Sequence, residues 1–191
     1  MPLRWMMTAA VPLLLLLQAC VPAVVGGAAA GAAAAHDRRT FGAIIDDENI
    51  ELKAAANIGM DAELKKLAHV NVTSMNGIVL LTGEAATTDA RDKILTQVRA
   101  VNGVRRITNE LRIAEPSSFG SRSKDSLITS AVKSRFLVSK DLDPSRVKVV
   151  TEASVVYLLG LVTHAEGDLA GDRAATIEGV ERIVKVFEYI D

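Results

Sequence analysis

Residues 77–111, GIVLLTGEAATTDARDKILTQVRAVNGVRRITNEL, and residues 154–187, SVVYLLGLVTHAEGDLAGDRAATIEGVERIVKVF, are two versions of one pattern. Each opens with a β-rich apolar run ending in a glycine, Gly83 or Gly160, and continues into a polar stretch of helical character. Each then passes through an apolar-x-Gly-Val step, residues 101–104 and 177–180, into a closing strand. The first glycines lie 77 residues apart and the second pair, Gly103 and Gly179, 76 apart, so one deletion accounts for the drift. Solenoid repeats are usually about 20–50 residues long. The longer spacing points to two copies of one small domain.

The elements around the repeat extend the pattern. Residues 46–58 open with Asp46, Asp47 and Glu48, favourable at a helix start, and Ile50, Ala54 and Ile58 recur at helical spacing. Val70 and Val72 alternate with polar residues, Met75-Asn76-Gly77 supplies a turn, and residues 78–81 form a second strand. Residues 88–101 give a second helix with Ile94, Val98 and Val101 inward, and residues 104–111 a third strand. The order is α-β-β-α-β. It recurs as a helix over 125–137, strands over 147–151 and 155–159, a helix over 165–177 and a strand over 180–190. The fold class is therefore α+β: two tandem units, each a small three-stranded mixed sheet on two helices. The expected domains are residues 46–114 and 124–191, joined by the Pro-, Gly- and Ser-containing linker 115–123. Contact between the copies is left open at this level.

The first 45 residues read as an address and a tether. Residues 1–19 hold Arg4 and then an apolar run too short for a membrane span, which needs about 20 residues. The run ends in Leu17-Gln18-Ala19-Cys20, which resembles a bacterial lipobox, and Cys20 is the only cysteine of the chain. That resemblance implies cleavage after residue 19 and acylation of Cys20, an anchor worth about 0.8 kcal/mol per buried CH₂. Val21 stands where an aspartate would resemble an inner-membrane retention signal, so the outer membrane is the implied destination. Residues 20–45 form the acylated cysteine and a low-complexity tether.

The α-β-β-α-β unit with Gly83 and Gly103-Val104, repeated as Gly160 and Gly179-Val180, resembles the BON domain. With the lipobox, Val24-Val25-Gly26 and Asp46-Asp47, the chain is similar to dual BON-domain outer-membrane lipoproteins. The resemblance implies phospholipid binding and maintenance of envelope integrity, with no catalysis. It also implies that the first helix of the second domain faces lipid.

Charge separates the two copies. The net charge of the whole chain is −1, which favours neither a nucleic-acid binder nor an acidic tail. Residues 46–58 carry −3, whereas residues 120–150 carry seven cations against three anions and residues 151–191 three against eight. The positive charge is thus local to the opening of the second copy. There Ile128, Val132 and Phe136 form a stripe that packs on the sheet, while Leu127 and Leu137 lie off its centre beside Lys124, Lys133 and Arg135. An apolar edge rimmed by cations is the pattern of an interfacial helix. The expected phospholipid-contact set is Lys124, Leu127, Lys133, Arg135, Phe136 and Leu137, with Cys20 as the lipidation site. An ordinary half-buried helix with a solvated basic face is the plainer alternative.

Anionic phospholipid and the outer membrane, through acylated Cys20, are accordingly the expected partners, and nucleic acid is not. The rival expectation is a protein-interaction module for outer-membrane assembly or cell-wall-linked partners, working through the acidic first copy or strand edges. No phosphate-cradling glycine loop, nucleophile elbow or zinc motif occurs, and no cofactor or metal is expected. Glu166 and Asp168 beside His164 read as first-turn charges of a helix.

Overall fold

The computed structural model describes residues 37–116 and 119–191, with side chains in the second segment from Arg122 onward. The signal segment, Cys20 and most of the tether lie outside the described residues. The first unit comprises α1 (Phe41–Met60), the single turn α2 (Leu64–Leu67), β1 (Ala68–Met75), β2 (Ile78–Ala85), α3 (Thr88–Arg99), β3 (Arg106–Asn109) and β4 (Arg112–Ile113). The second comprises α4 (Phe119–Leu137), a 3₁₀ turn (Pro144–Arg146), β5 (Val147–Glu152), β6 (Val155–Val162), α5 (His164–Ala175) and β7 (Arg182–Tyr189). In each sheet the middle strand pairs antiparallel with the strand before it and parallel with the strand after the helix. The first sheet has one strand more than its sequence suggested, because Arg112–Ile113 rejoins β2 beyond a break at residues 110–111.

Both opening helices start earlier than their acidic residues implied. Thr40 caps α1, its hydroxyl accepting from the Ala43 amide at 3.1 Å, so Asp47 sits mid-helix and buried. Its carboxylate accepts from the amides of Asn76 (2.7 Å) and Gly77 (2.9 Å), the two residues of the β1–β2 turn. The second unit repeats the device: α4 begins at Phe119, within the stretch read as linker, and Asp125 accepts from the amides of Ala153 (2.9 Å) and Ser154 (2.8 Å). Both turn residues have positive φ in each copy, 52° and 73° in the first and 49° and 62° in the second. A left-handed conformation is unfavourable for Ala and Ser, and the second turn is held in it by one buried carboxylate. For Asp47, burial pushes the pKa up, but the Gly77 amide, the Ser74 hydroxyl, the Asn76 amide and Arg39 outweigh it and hold the group ionised.

The repeated glycines have a steric cause. Gly83 pairs with Val70 and Gly160 with Val147 across the first two strands, where a Cβ would collide with the His69 and Arg146 carbonyl oxygens respectively. Gly103 and Gly179, at φ 94° and 88°, turn the chain from helix to closing strand.

Each unit buries its own core between helices and sheet: Ile50, Ala54, Val79, Leu81 and Ile94 in the first, Ile128, Val132, Phe136, Val156 and Leu158 in the second. A third core lies between the units. Met75, Ile78 and Leu80 of the first sheet pack against Tyr157, Leu159 and Val186 of the second. The sheets therefore meet on the faces their helices leave uncovered, giving four layers: helices, sheet, sheet, helices. All eight residues of β2 are buried, the outcome for a strand covered on both faces. Polar contacts ring this core: Asn71 donates to Glu152 at 2.8 Å, Arg105 reaches Glu188 at 3.0 Å and Lys148 reaches Glu51 at 2.7 Å. Burial, with Glu110 nearby, pushes the Tyr157 hydroxyl up to about 12.

Two outcomes are expected. Asp125→Ala orphans two amides at roughly 1–3 kcal/mol each, so urea unfolding should show a loss of about 2–6 kcal/mol. The shared core should make thermal unfolding one cooperative transition. Leu80→Asp, which places a charge between the sheets, should split it into two in differential scanning calorimetry.

Candidate functional site

The exposed side of α4 carries apolar and basic side chains, in an arrangement the sequence did not fully convey. Leu127 and Leu137 are 72% and 70% exposed, and Val138, just past the helix end, is 72% exposed. At ~100° per residue, Leu127 and Val138 fall about 20° apart after three turns, so they share one ridge. Val138 was missing from the sequence-based set; its 11-residue spacing from Leu127 was the available signal. Lys133 and Arg135 are two residues apart and so about 200° apart around the helix. Arg135 lies about 60–80° to one side of the ridge, and Lys133 about 120–140° to the other, next to Leu137. Lys133 is exposed and Arg135 half-buried, with its Nε buried and without a hydrogen bond. Lys124 is exposed and its ammonium donates to Ser154 Oγ at 3.2 Å.

Phe136 is a correction. It is only 1% exposed and packs with Ile128 and Val132 in the core of the second unit. Its place in the sheet-facing stripe excludes it from the exposed ridge. The remaining five residues lie on or beside that ridge.

The chain enters this region through a charged clasp. Arg38 donates to both oxygens of Glu166, at 2.5 and 3.0 Å, and to the Leu161 carbonyl at 3.3 Å. Arg146 donates to the same carboxylate at 2.6 Å. Glu166 also closes the capping box of α5 with Thr163, so the first-turn reading was right but incomplete. Arg39 meanwhile pairs with Asp37 and Asp47, both at 2.7 Å. Successive arginines thus fasten the start of the described chain to the second unit and to the first. Arg39 also lines a cleft of about 450 Å³ between α1 and α4, whose far wall includes Lys133 and Leu137. The chain's entry and the C-terminal end of the α4 ridge therefore border one opening.

A second cleft of about 440 Å³, between β1 and the middle of α4, is polar, with His69, Asn71, Thr129, Thr151 and Glu152 in its walls. Burial raises the pKa of Glu152 more than the Asn71 hydrogen bond lowers it. Among the described residues no acidic, His or Cys cluster fits a metal ion, and no helix is long and apolar enough to cross a membrane.

The family model described as the BON domain matches residues 46–115 and 124–191. The chain belongs to the BON family. It is 41% identical over 155 residues to the protein named outer membrane lipoprotein DolP of Haemophilus influenzae, covering 81% of this chain and 80% of that one. Identity is 38% over 154 residues to the 21 kDa hemolysin of Actinobacillus pleuropneumoniae, with 81% and 79% covered. It is 29% over 146 residues to osmotically-inducible protein Y of Escherichia coli, with 74% and 72% covered. The chain is thus a DolP-like protein with two BON domains, and the α4 ridge belongs to the second of them.

The clasp carries a pH signature. Burial alone would raise the Glu166 pKa, but hydrogen bonds from Arg38, the Thr163 amide and Arg146 take it down to about 2, from an ordinary value of about 4.5. A depressed folded-state value means that ionised Glu166 stabilises the fold above the ordinary pKa, and that this is lost as pH falls toward 2. Glu166→Gln should therefore unfold at lower urea than the parent at neutral pH, with the gap between midpoints closing below about pH 4.5.

Proposed function

We propose that this chain is a non-catalytic outer-membrane lipoprotein on the periplasmic face, held by acylated Cys20. Its second BON domain binds anionic phospholipid through α4 and so supports envelope integrity. The observation that carries this reading is the exposed ridge of Leu127, Leu137 and Val138 with Lys133 and Arg135 on its two flanks. Leu137 and Val138 are exposed side by side at the C-terminal end of α4, and Leu127 is exposed about 15 Å nearer its start. Cations on either side can reach lipid phosphates while the ridge enters the interface. The outer-membrane placement is supported by the name of the Haemophilus relative and by the lipobox.

The geometry adds a reason for two contacts. The clasp fixes the emerging chain beside the cleft that α4 borders. A tethered anchor and a weak surface contact then act on one bilayer, and linkage raises the effective concentration of the second at no cost in new contacts. The acyl group supplies residence, and α4 supplies selectivity for charge.

The test is co-sedimentation of the mature chain carrying Cys20→Ser with vesicles. Retention should occur on anionic and not on neutral vesicles, and should weaken with salt. Lys133→Gln with Arg135→Gln should reduce affinity roughly 30-fold, since each cation near an anionic surface contributes about 1 kcal/mol. Leu127→Asp with Val138→Asp should abolish retention. If both double variants bind as the parent does, the α4 site is wrong. If the parent ignores vesicles and instead captures an envelope protein, the interaction-module reading replaces this one.

A further inference from the structure

The cleft between α1 and α4 has the chemistry of a binding site in its own right. Its apolar walls come from four elements: Ile44 of α1, Met75 at the end of β1, Phe136 and Leu137 of α4, and Val147 at the start of β5. Its volume of about 450 Å³ lies within the ~300–1,000 Å³ range of small-molecule sites.

Five charged residues also line it: Arg39, Asp47, Glu48, Lys133 and Lys148. Three are already engaged. Asp47 accepts from Ser74, Asn76, Gly77 and Arg39; Arg39 is held by Asp37 as well; Lys148 donates to Glu51 at 2.7 Å. Lys133 and Glu48 remain, both exposed and neither with a hydrogen-bond or ion-pair partner among the described residues. One free cation and one free anion therefore border an apolar recess.

We propose that this cleft binds a single-chain phospholipid with a zwitterionic head. The alkyl chain lies along Ile44 and Leu137, over the edges of Met75 and Val147, Lys133 takes the phosphate, and Glu48 takes the ammonium of an ethanolamine head. A fatty acid or a glycerol head satisfies Lys133 and leaves Glu48 without a partner, so the charge pattern favours ethanolamine. The site shares Lys133 with the α4 ridge, but it takes a monomer from solution and does not depend on bilayer contact.

The experiment titrates the mature Cys20→Ser chain with lysophosphatidylethanolamine below its micelle concentration, by calorimetry and methyl NMR. Saturable one-to-one binding is expected, with shifts at the Ile44, Met75 and Val147 methyls. Lysophosphatidylglycerol and laurate should bind about tenfold more weakly or worse, the effect of losing one charged hydrogen bond. Glu48→Gln should erase the preference for ethanolamine. Ile44→Trp, at a half-buried position off the α4 ridge, should abolish monomer binding and leave vesicle retention unchanged. Absence of saturable binding, shifts confined to Leu127 and Val138, or undiminished binding by folded Ile44→Trp would overturn the site. Equal binding of the glycerol head would overturn the assignment to Glu48. Because the methyl shifts are read on the unmutated cleft, they decide the matter even should Ile44→Trp fail to fold. Vesicle retention without monomer binding removes this site alone, and the converse removes only the bilayer contact.

Discussion

Face-to-face packing of the two sheets is the constraint on which the rest of this structure depends. A BON domain covers one face of its sheet with two helices and leaves the other face bare. In this chain the bare faces carry Met75, Ile78 and Leu80 on one side and Tyr157, Leu159 and Val186 on the other. Fully burying an aliphatic or aromatic side chain contributes about 1.5–3 kcal/mol. The third core, with six buried residues against twelve in each internal core, is therefore a smaller but substantial source of stability. It also leaves the helices of both units on the outside, where α4 can present a working surface.

The same packing determines where the charges go. Glu51, Ser74 and Lys148 meet at the joint between the units, and Asn71 reaches Glu152 across it. Lys148 was one of the cations that made residues 120–150 net positive, yet it is spent on an acid of the first domain. Arg146 is likewise spent on Glu166. Five of the seven cations are thus left on or near α4: Arg122 and Lys124 toward its start, and Lys133, Arg135 and Lys140 toward its end. The membrane contact proposed for α4 would therefore be weak and salt-sensitive, as suits one that acts beside the proposed acyl anchor.

Much of the fold was legible in the repeat because its marks are local. Helical spacing at Ile50, Ala54 and Ile58, and at Ile128, Val132 and Phe136, located the buried faces of α1 and α4, and all six residues are buried. The glycines were legible as positions, though not their cause, which is a carbonyl of the neighbouring strand. The acidic residues were misread. Asp47 looked like a helix-start charge, but its partners are the amides of a turn some 30 residues away. Its counterpart Asp125 holds the matching position in the repeat, a clue that becomes meaningful only once the turn is seen. Phe136 was placed in both the core stripe and the lipid set, and three-dimensional packing assigns it to the core.

The sequence by itself determined the duplication, the α-β-β-α-β order, the buried helix faces and the contrast in charge between the copies, since all of these follow from periodicity and composition along the chain. Tertiary structure alone decided which cations stay free, where the entering chain is clasped, and that the bare sheet faces cover each other. Those depend on residues far apart in sequence meeting across an interface, and no local pattern records which partner a side chain will find.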